Sequence, residues 1–244
     1  MAKSTKKKTT GRKSKGKAAS RSFRDRLRGW LRYGLFGVIG LLALAVILPA
    51  YINPPRGPYI IAESMRLGSV DRAWTPMEQI APVMARSVVA AEDANFCKHW
   101  GFDMGAIRSA IEDGGNRGAS TLTQQVVKNV YLWQGRSWPR KALEALLTPL
   151  VEAAWSKRRI LEVYLNVAEF DEGVFGVDAA ARNYFGTSPE ALTAREAALL
   201  AALLPDPKDR DAANPSKFVS RRATQIADGA ATIARDGRAA CFED

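Results

Sequence analysis

No charged residue falls between Tyr33 and Pro55, and Leu35–Leu48 is almost continuously apolar. About 20 apolar residues suffice to cross the hydrocarbon core of a bilayer, so the pattern predicts one membrane span over 33–53. Trp30, Tyr33 and Tyr51 stand near its ends, where aromatic rings favour the membrane interface. Leu48-Pro49-Ala50-Tyr51 is a poor cleavage site and the run is long, which favours an anchor over a cleaved signal peptide. Asn53-Pro54-Pro55-Arg56-Gly57-Pro58 cannot continue a helix and opens a linker, 54–72.

From 73 to 240 the periodicity is mainly helical. Thr75-Pro76-Met77-Glu78 has the form of a capping box with Pro at the first helical position, and Met77, Ile80, Met84, Val88 and Ala91 then fall on one apolar face. Further helices are predicted from an Asp103 cap to Glu112, from Thr121 to about Leu132, and from Arg140 to Val167 with a kink or break near Pro149. Thr193-x-x-Glu196 caps an Ala/Leu-rich helix, Ala194–Leu204, whose lack of a polar face marks it as buried. Ser216–Arg235 is the last helix, Gly114–Gly118 a flexible loop, and Tyr59-Ile60-Ile61 the one candidate strand.

The net charge of +11 is misleading about the domain, because residues 1–32 carry +12 and the other 212 residues −1. The basic character belongs to a solvated tail and gives no reason to expect a nucleic-acid partner. Thirteen Lys and Arg ahead of the span place the N-terminus in the cytoplasm and export the chain beyond the span. With one His and two Cys, a zinc finger or His-rich metal site is excluded. Cys97 and Cys241 would lie in the exported part, where a disulfide can persist, but the sequence gives no distance between them.

Four stretches carry candidate chemistry. Glu92 and Asp93 end a helix, where the negative end of the dipole tends to raise a carboxyl pKa, as suits a general acid or base. Two acids at a helix end can equally be a solvated surface. Gly118–Asn129 brings a loop to a helix N-terminus with hydroxyls, amides and Lys128, either an anion cradle or an ordinary capped helix. Arg140, Glu144, Thr148 and Glu152 recur every four residues, lining a cleft or an exposed face. Lys157–Asn166 reads as a packed helix, followed by a Gly-punctuated loop and another helix ending in Tyr184-Phe185-Gly186.

In this order, Glu-Asp-x-x-Phe-x-x-His-x-Gly, Gly-x-Ser-Thr-x-x-Gln-Gln-x-x-Lys-Asn, Arg-Lys-x-x-Glu, Ile-Leu-Glu-x-Tyr-Leu-Asn and Glu-Ala-Ala-x-Leu-Ala resemble the motif series of the peptidoglycan glycosyltransferases over roughly residues 76–215. With no transpeptidase domain following, the resemblance is to the monofunctional biosynthetic branch. It implies a lysozyme-like, two-lobed helical domain over 73–240, behind a basic tail (1–32) and a single transmembrane helix. The implied reaction polymerises lipid II into β-1,4-linked glycan strands with inversion, releasing undecaprenyl pyrophosphate. Carried over, Glu92 is the general base and Glu144 the second essential carboxylate. Asp93, Ser120, Thr121, Gln124, Gln125, Lys128, Asn129, Arg140 and Lys141 form the substrate site, and Phe96 and His99 support it. No cofactor or protein-bound metal is implied, though a divalent cation on the substrate pyrophosphate stays open. The implied partners are lipid II, the lipid-linked growing strand, the membrane, and cell-wall synthesis or division proteins. The implied location is the cytoplasmic (inner) membrane, single-pass, with the catalytic domain periplasmic. The alternative is a lytic transglycosylase or lysozyme-like enzyme, which shares one catalytic Glu but has no need of Lys128 and Arg140, since its leaving group is a sugar.

Overall fold

The computed structural model describes residues 23–114, 118–135 and 137–243. Residues 1–22 of the basic tail and the middle of the 114–118 loop lie outside the described residues. The chain divides into two compact units, 1–43 and 44–244.

The described part of the first unit is a single helix, α1 (Phe23–Ile47), whose last turn passes into the second unit and ends in a 3-10 turn at Leu48–Ala50. Arg26–Ala50 is long and apolar enough to cross a membrane. Leu35, Ile39 and Leu42 are all exposed on it, as expected of a helix whose apolar surface meets lipid and not protein.

The second unit holds the remaining helices, α2 (Pro58–Leu67), α3 (Pro82–Glu92), α4 (Met104–Glu112), α5 (Leu122–Tyr131), α6 (Trp138–Ala154), α7 (Lys157–Val167), α8 (Val177–Phe185), α9 (Ala194–Leu203), α10 (Lys217–Arg235) and the short α11 (Ala240–Glu243). A small sheet of β1 (Asp71–Arg72), β2 (Glu169–Asp171) and β3 (Val174–Phe175) has the order β1-β3-β2. β1 runs parallel to β3 and β2 antiparallel, with an irregularity between Glu169 and Asp171. Helices α3, α9 and α10 pack on one another, and α5 packs between α6 and α7. The Ala/Leu run of α9 is buried from Ala197 to Leu203, as its lack of a polar face required.

Three local expectations are corrected. Tyr59-Ile60-Ile61 lies in α2 and forms no strand: Pro58 occupies the first helical position and Ile60 is fully buried in the core, so the stretch expected to be linker contributes packing. A three-residue apolar run fits either period, and the Pro decided it. The helix expected from Thr75 is only a 3-10 turn, Met77–Gln79, because Pro82 cannot donate within a continuing helix and starts α3 afresh. Thr75 is held elsewhere, its N–H donating to Asn166 Oδ1 at 2.7 Å while Asn166 Nδ2 donates to the Thr75 carbonyl at 2.8 Å. Pro149 sits inside an unbroken α6, and the chain breaks at Trp155-Ser156, where Ser156 caps α7. The carbonyl that Pro149 leaves without a helical donor belongs to Ala145, on the exposed face of α6.

Candidate active site

Helices α5 and α6 line a trough that a third helix reaches by a hydrogen bond. α5 supplies Gln125 and Lys128 and the inner face of α6 supplies Arg140 and Glu144, while Glu92, at the C-terminus of α3, meets the trough through Gln125. The start of α5 is fixed by a reciprocal capping box: Gln124 N–H donates to Thr121 Oγ1 and Thr121 N–H to Gln124 Oε1. Thr121 Oγ1 also donates to the Gly101 carbonyl at 2.7 Å. This ties the cap to the loop after α3. Gly101 has φ +85, and a Cβ there would stand 2.6 Å from the Thr148 side chain. Only glycine lets this loop lie against α6.

Glu92 is partly buried and accepts from Gln125 Nε2 at 2.8 Å. Burial pushes its pKa above the ordinary carboxyl value, against the opposing pull of the Gln125 hydrogen bond and the Arg222 and Lys128 charges. Desolvation is the leading cause. Gln125 Oε1 accepts in turn from Tyr164 at 3.2 Å, so α7 orients the amide that orients the carboxylate.

Asp93 faces protein. Its Oδ2 accepts the Leu122 N–H at 3.0 Å, and its Oδ1 lies 2.7 Å from His99 Nε2. Phe96 is fully buried beneath the same loop. Asp93, Phe96 and His99 thus hold the chain just after Glu92, with one protein partner on each Asp93 carboxylate oxygen.

The stripe on α6 is an interior face: Arg140, Glu144, Thr148 and Glu152 are all buried. Arg140 Nη1 donates to Glu144 Oε2 at 2.6 Å and its Nε to the Gly135 carbonyl at 2.7 Å. Lys141 Nζ donates to Glu144 Oε1 and to Ser120 Oγ, the latter at 3.2 Å. Glu144 therefore holds two cations in place. Glu152, farther along, accepts from Thr123 Oγ1 and Lys157 Nζ and joins α5 to α7. Burial lowers the pKa of Lys128, with Glu144 opposing.

A cavity of about 430 Å³ is lined by Ser120, Gln124, Gln125, Lys128, Arg140 and Glu144, among others. A second, of about 350 Å³, is lined by Tyr59, Gln125, Lys128, Asn129, Tyr164 and Lys208, among others. Gln125, Lys128, Gln134 and Pro205 line both, so the two chambers are halves of one trough along α5. Sequence reasoning did not single out Tyr164, Thr123, Gln134 or Arg222. Tyr164 was visible only as one letter of a motif, and the others have no local signature. Among the described residues no three His, Cys, Asp or Glu side chains come together as a metal site.

The sequence profile of the family described as Transglycosylase matches residues 60–231. Proteins called biosynthetic peptidoglycan transglycosylase are similar along most of their length. The one from Jannaschia sp. (strain CCS1) is 58% identical over 232 residues, covering 95% of this chain and 97% of its own. That from Stutzerimonas stutzeri (strain A1501) is 48% identical over 202 residues, covering 79% and 84%. That from Caulobacter vibrioides (strain ATCC 19089 / CIP 103742 / CB 15) is 44% identical over 202 residues, covering 81% and 88%. The chain belongs to the transglycosylase family.

Proposed function

We propose that this membrane-anchored enzyme polymerises lipid II into β-1,4-linked glycan at the outer face of the cytoplasmic membrane. The observation that carries the reading is the division of charge along α5. Glu92, a carboxylate with a raised pKa and a neutral amide partner, meets the helix at Gln125; Lys128, one turn on at about 5 Å, opens the cationic chamber of Arg140 and Lys141. Glu92 takes the proton from the acceptor's sugar 4-hydroxyl, and that oxygen attacks the donor's anomeric carbon from the face opposite the pyrophosphate. Inversion follows. Undecaprenyl pyrophosphate leaves with growing negative charge, which Lys128, Arg140 and the half-exposed Lys141 stabilise, because Glu144 already orients Arg140 and Lys141 and burial desolvates Lys128 and Arg140. Glu144 acts through those cations. Ser120, Gln124, Gln125 and Asn129 shape the sugar and phosphate sites along the trough, and Thr121 sets the helix that carries them. No step requires a cofactor; a divalent cation accompanying the pyrophosphate would take its ligands from the phosphate oxygens.

A lipid-bound substrate agrees with the candidate span and with the outer face of α6, where Trp138 and Leu146 are exposed on the helix that carries Arg140. The test is incubation of the full chain in detergent with lipid II. Polymer and undecaprenyl pyrophosphate are the expected products. Inert lipid II together with shortening of preformed glycan would assign the site to a lytic enzyme instead.

A further inference from the structure

The loop after Glu92 is held from two sides. One side is the site itself: Asp93 on the Leu122 N–H, and the Gly101 carbonyl on Thr121 Oγ1. The other is the C-terminal segment 236–243, which lies beyond the stretch matched by the family profile and beyond the end of α10. Cys97 and Cys241 form a disulfide across 144 residues of sequence. Next to it, Phe242 is fully buried with its ring centroid 6.4 Å from that of Phe96. Arg238 Nη1 donates to the Ala94 carbonyl at 3.1 Å, and Arg158 Nη1 donates to the Phe242 carbonyl at 3.0 Å.

We propose that this C-terminal strap, through Cys241 and Phe242, is a positioning element for the Glu92 loop, and that its oxidised state is a condition of full activity. The proposal rests on the general-base reading of Glu92. α11 is four residues long and, with the turn before it, buries little beyond Ala239 and Phe242, so its docking alone is a weak, easily frayed contact. The disulfide makes that contact intramolecular and persistent. Opening it takes two electrons and two protons from a dithiol reductant, leaving Cys97 and Cys241 as thiols and the reductant as its own disulfide. The loop then keeps its Asp93, His99, Gly101 and Asn95 hydrogen bonds and the buried Phe96, but loses its covalent tie to the strap. Glu92, with Arg222, Lys128, Asp93 and Tyr164 around it, is left less fixed and more hydrated.

The experiment compares the full-length protein before and after dithiothreitol with Cys241→Ser, Phe242→Leu and Phe242→Ala, measuring kcat, KM and the pH–rate profile on lipid II. Reduction and Cys241→Ser are expected to lower kcat about tenfold with KM nearly constant, since misplacement by ~1 Å can cost up to ~100-fold. The acidic limb should move to lower pH as Glu92 regains hydration. Phe242→Leu should retain more activity than Phe242→Ala. Unchanged kcat and an unmoved limb in the reduced protein, with only its melting temperature lowered, would overturn the proposal and leave the disulfide a plain staple. Glu92→Gln is the separate control: full activity there would remove the general-base reading itself, whatever the strap does.

Discussion

Glu144 accepts from Arg140 across 2.6 Å, one helical turn away, and both side chains are buried. The same carboxylate also takes Lys141, so one acid balances two cations. Removing one partner of a buried ion pair leaves an uncompensated charge and typically costs about 3–5 kcal/mol. Glu144→Gln should therefore lower the melting temperature and weaken donor binding together, because Arg140 and Lys141 lose their common anchor. Arg140→Ala should also fail in donor binding, and Arg140→Lys should recover part of it, since Lys cannot offer the planar fork. Wild-type donor KM in Arg140→Ala would remove that residue from the pyrophosphate site.

Lys128 predicts an alkaline limit. Burial lowers its pKa, so the ammonium is lost at a pH below that of an ordinary lysine. If its charge holds the leaving group, kcat/KM should fall as pH rises through that lowered pKa. Lys128→Arg, which stays charged, should flatten the alkaline limb even if the rate is reduced overall. An alkaline limb unaltered by the substitution would assign it to another group.

The site wall also carries a steric prediction. A Cβ on Gly57 would stand 2.1 Å from the Asn129 carbonyl oxygen and 3.1 Å from that of Val130. The obstacle is α5 backbone, which cannot swing aside as a side chain can. Gly57→Ala should destabilise by about 1–3 kcal/mol, the usual cost of overpacking, and should disturb the trough at Asn129. Denaturant melts with the wild-type slope and midpoint would show that α5 gives way at no cost.

The helices with explicit stop and start chemistry were legible in the sequence. Asp103, Thr121, Thr193 and Ser216 all cap helices where their side chains announced it. Where two signals competed, local reading chose wrongly, at Pro76 against Pro82 and at Pro149 against Ser156. The strands escaped notice because they are two or three residues long: β2 and β3 form a short local hairpin, and β1 exists only by pairing with β3 from about 100 residues away. The charged residues of the trough were visible as motifs. Their division of labour was not: nothing in the sequence says that Asp93 spends its oxygens on Leu122 and His99, or that Glu144 is shared by two cations. The pairing of Cys97 with Cys241 likewise depends on where 144 residues of chain return.

Topology is open to direct measurement. Thirteen cations precede the uncharged stretch, and α1 carries one segment long enough to span. A reporter fused after Asp244 that is active only in an exported compartment should be active, and one that works only in the cytoplasm should be silent. The reverse result would invert the assigned orientation and take the trough away from an exported substrate.

The two carboxylates separate by pH. The ordinary carboxyl value for Glu92 is 4.5, and burial raises it in the folded protein. A carboxyl whose folded pKa lies above its unfolded one binds its proton more tightly when folded. Its favourable contribution to stability is thus fully present below about pH 4.5 and is lost as pH rises through the raised value. At pH 7, where the unfolded carboxyl is ionised, Glu92 works against the fold, so Glu92→Gln should melt higher than wild type at pH 7, with the gap closing towards pH 4. The same substitution keeps the hydrogen-bonding shape but cannot accept a proton, so polymerisation should fall about 10²–10⁴-fold with lipid II still bound. The acidic limb of the wild-type pH–rate profile should lie above the ordinary carboxyl range. It should vanish from the residual activity of Glu92→Gln and persist in Glu144→Gln, whose carboxylate serves through Arg140 and Lys141. An acidic limb lost in Glu144→Gln and kept in Glu92→Gln would exchange the two roles, and one unchanged in both would mean that neither carboxylate is the base.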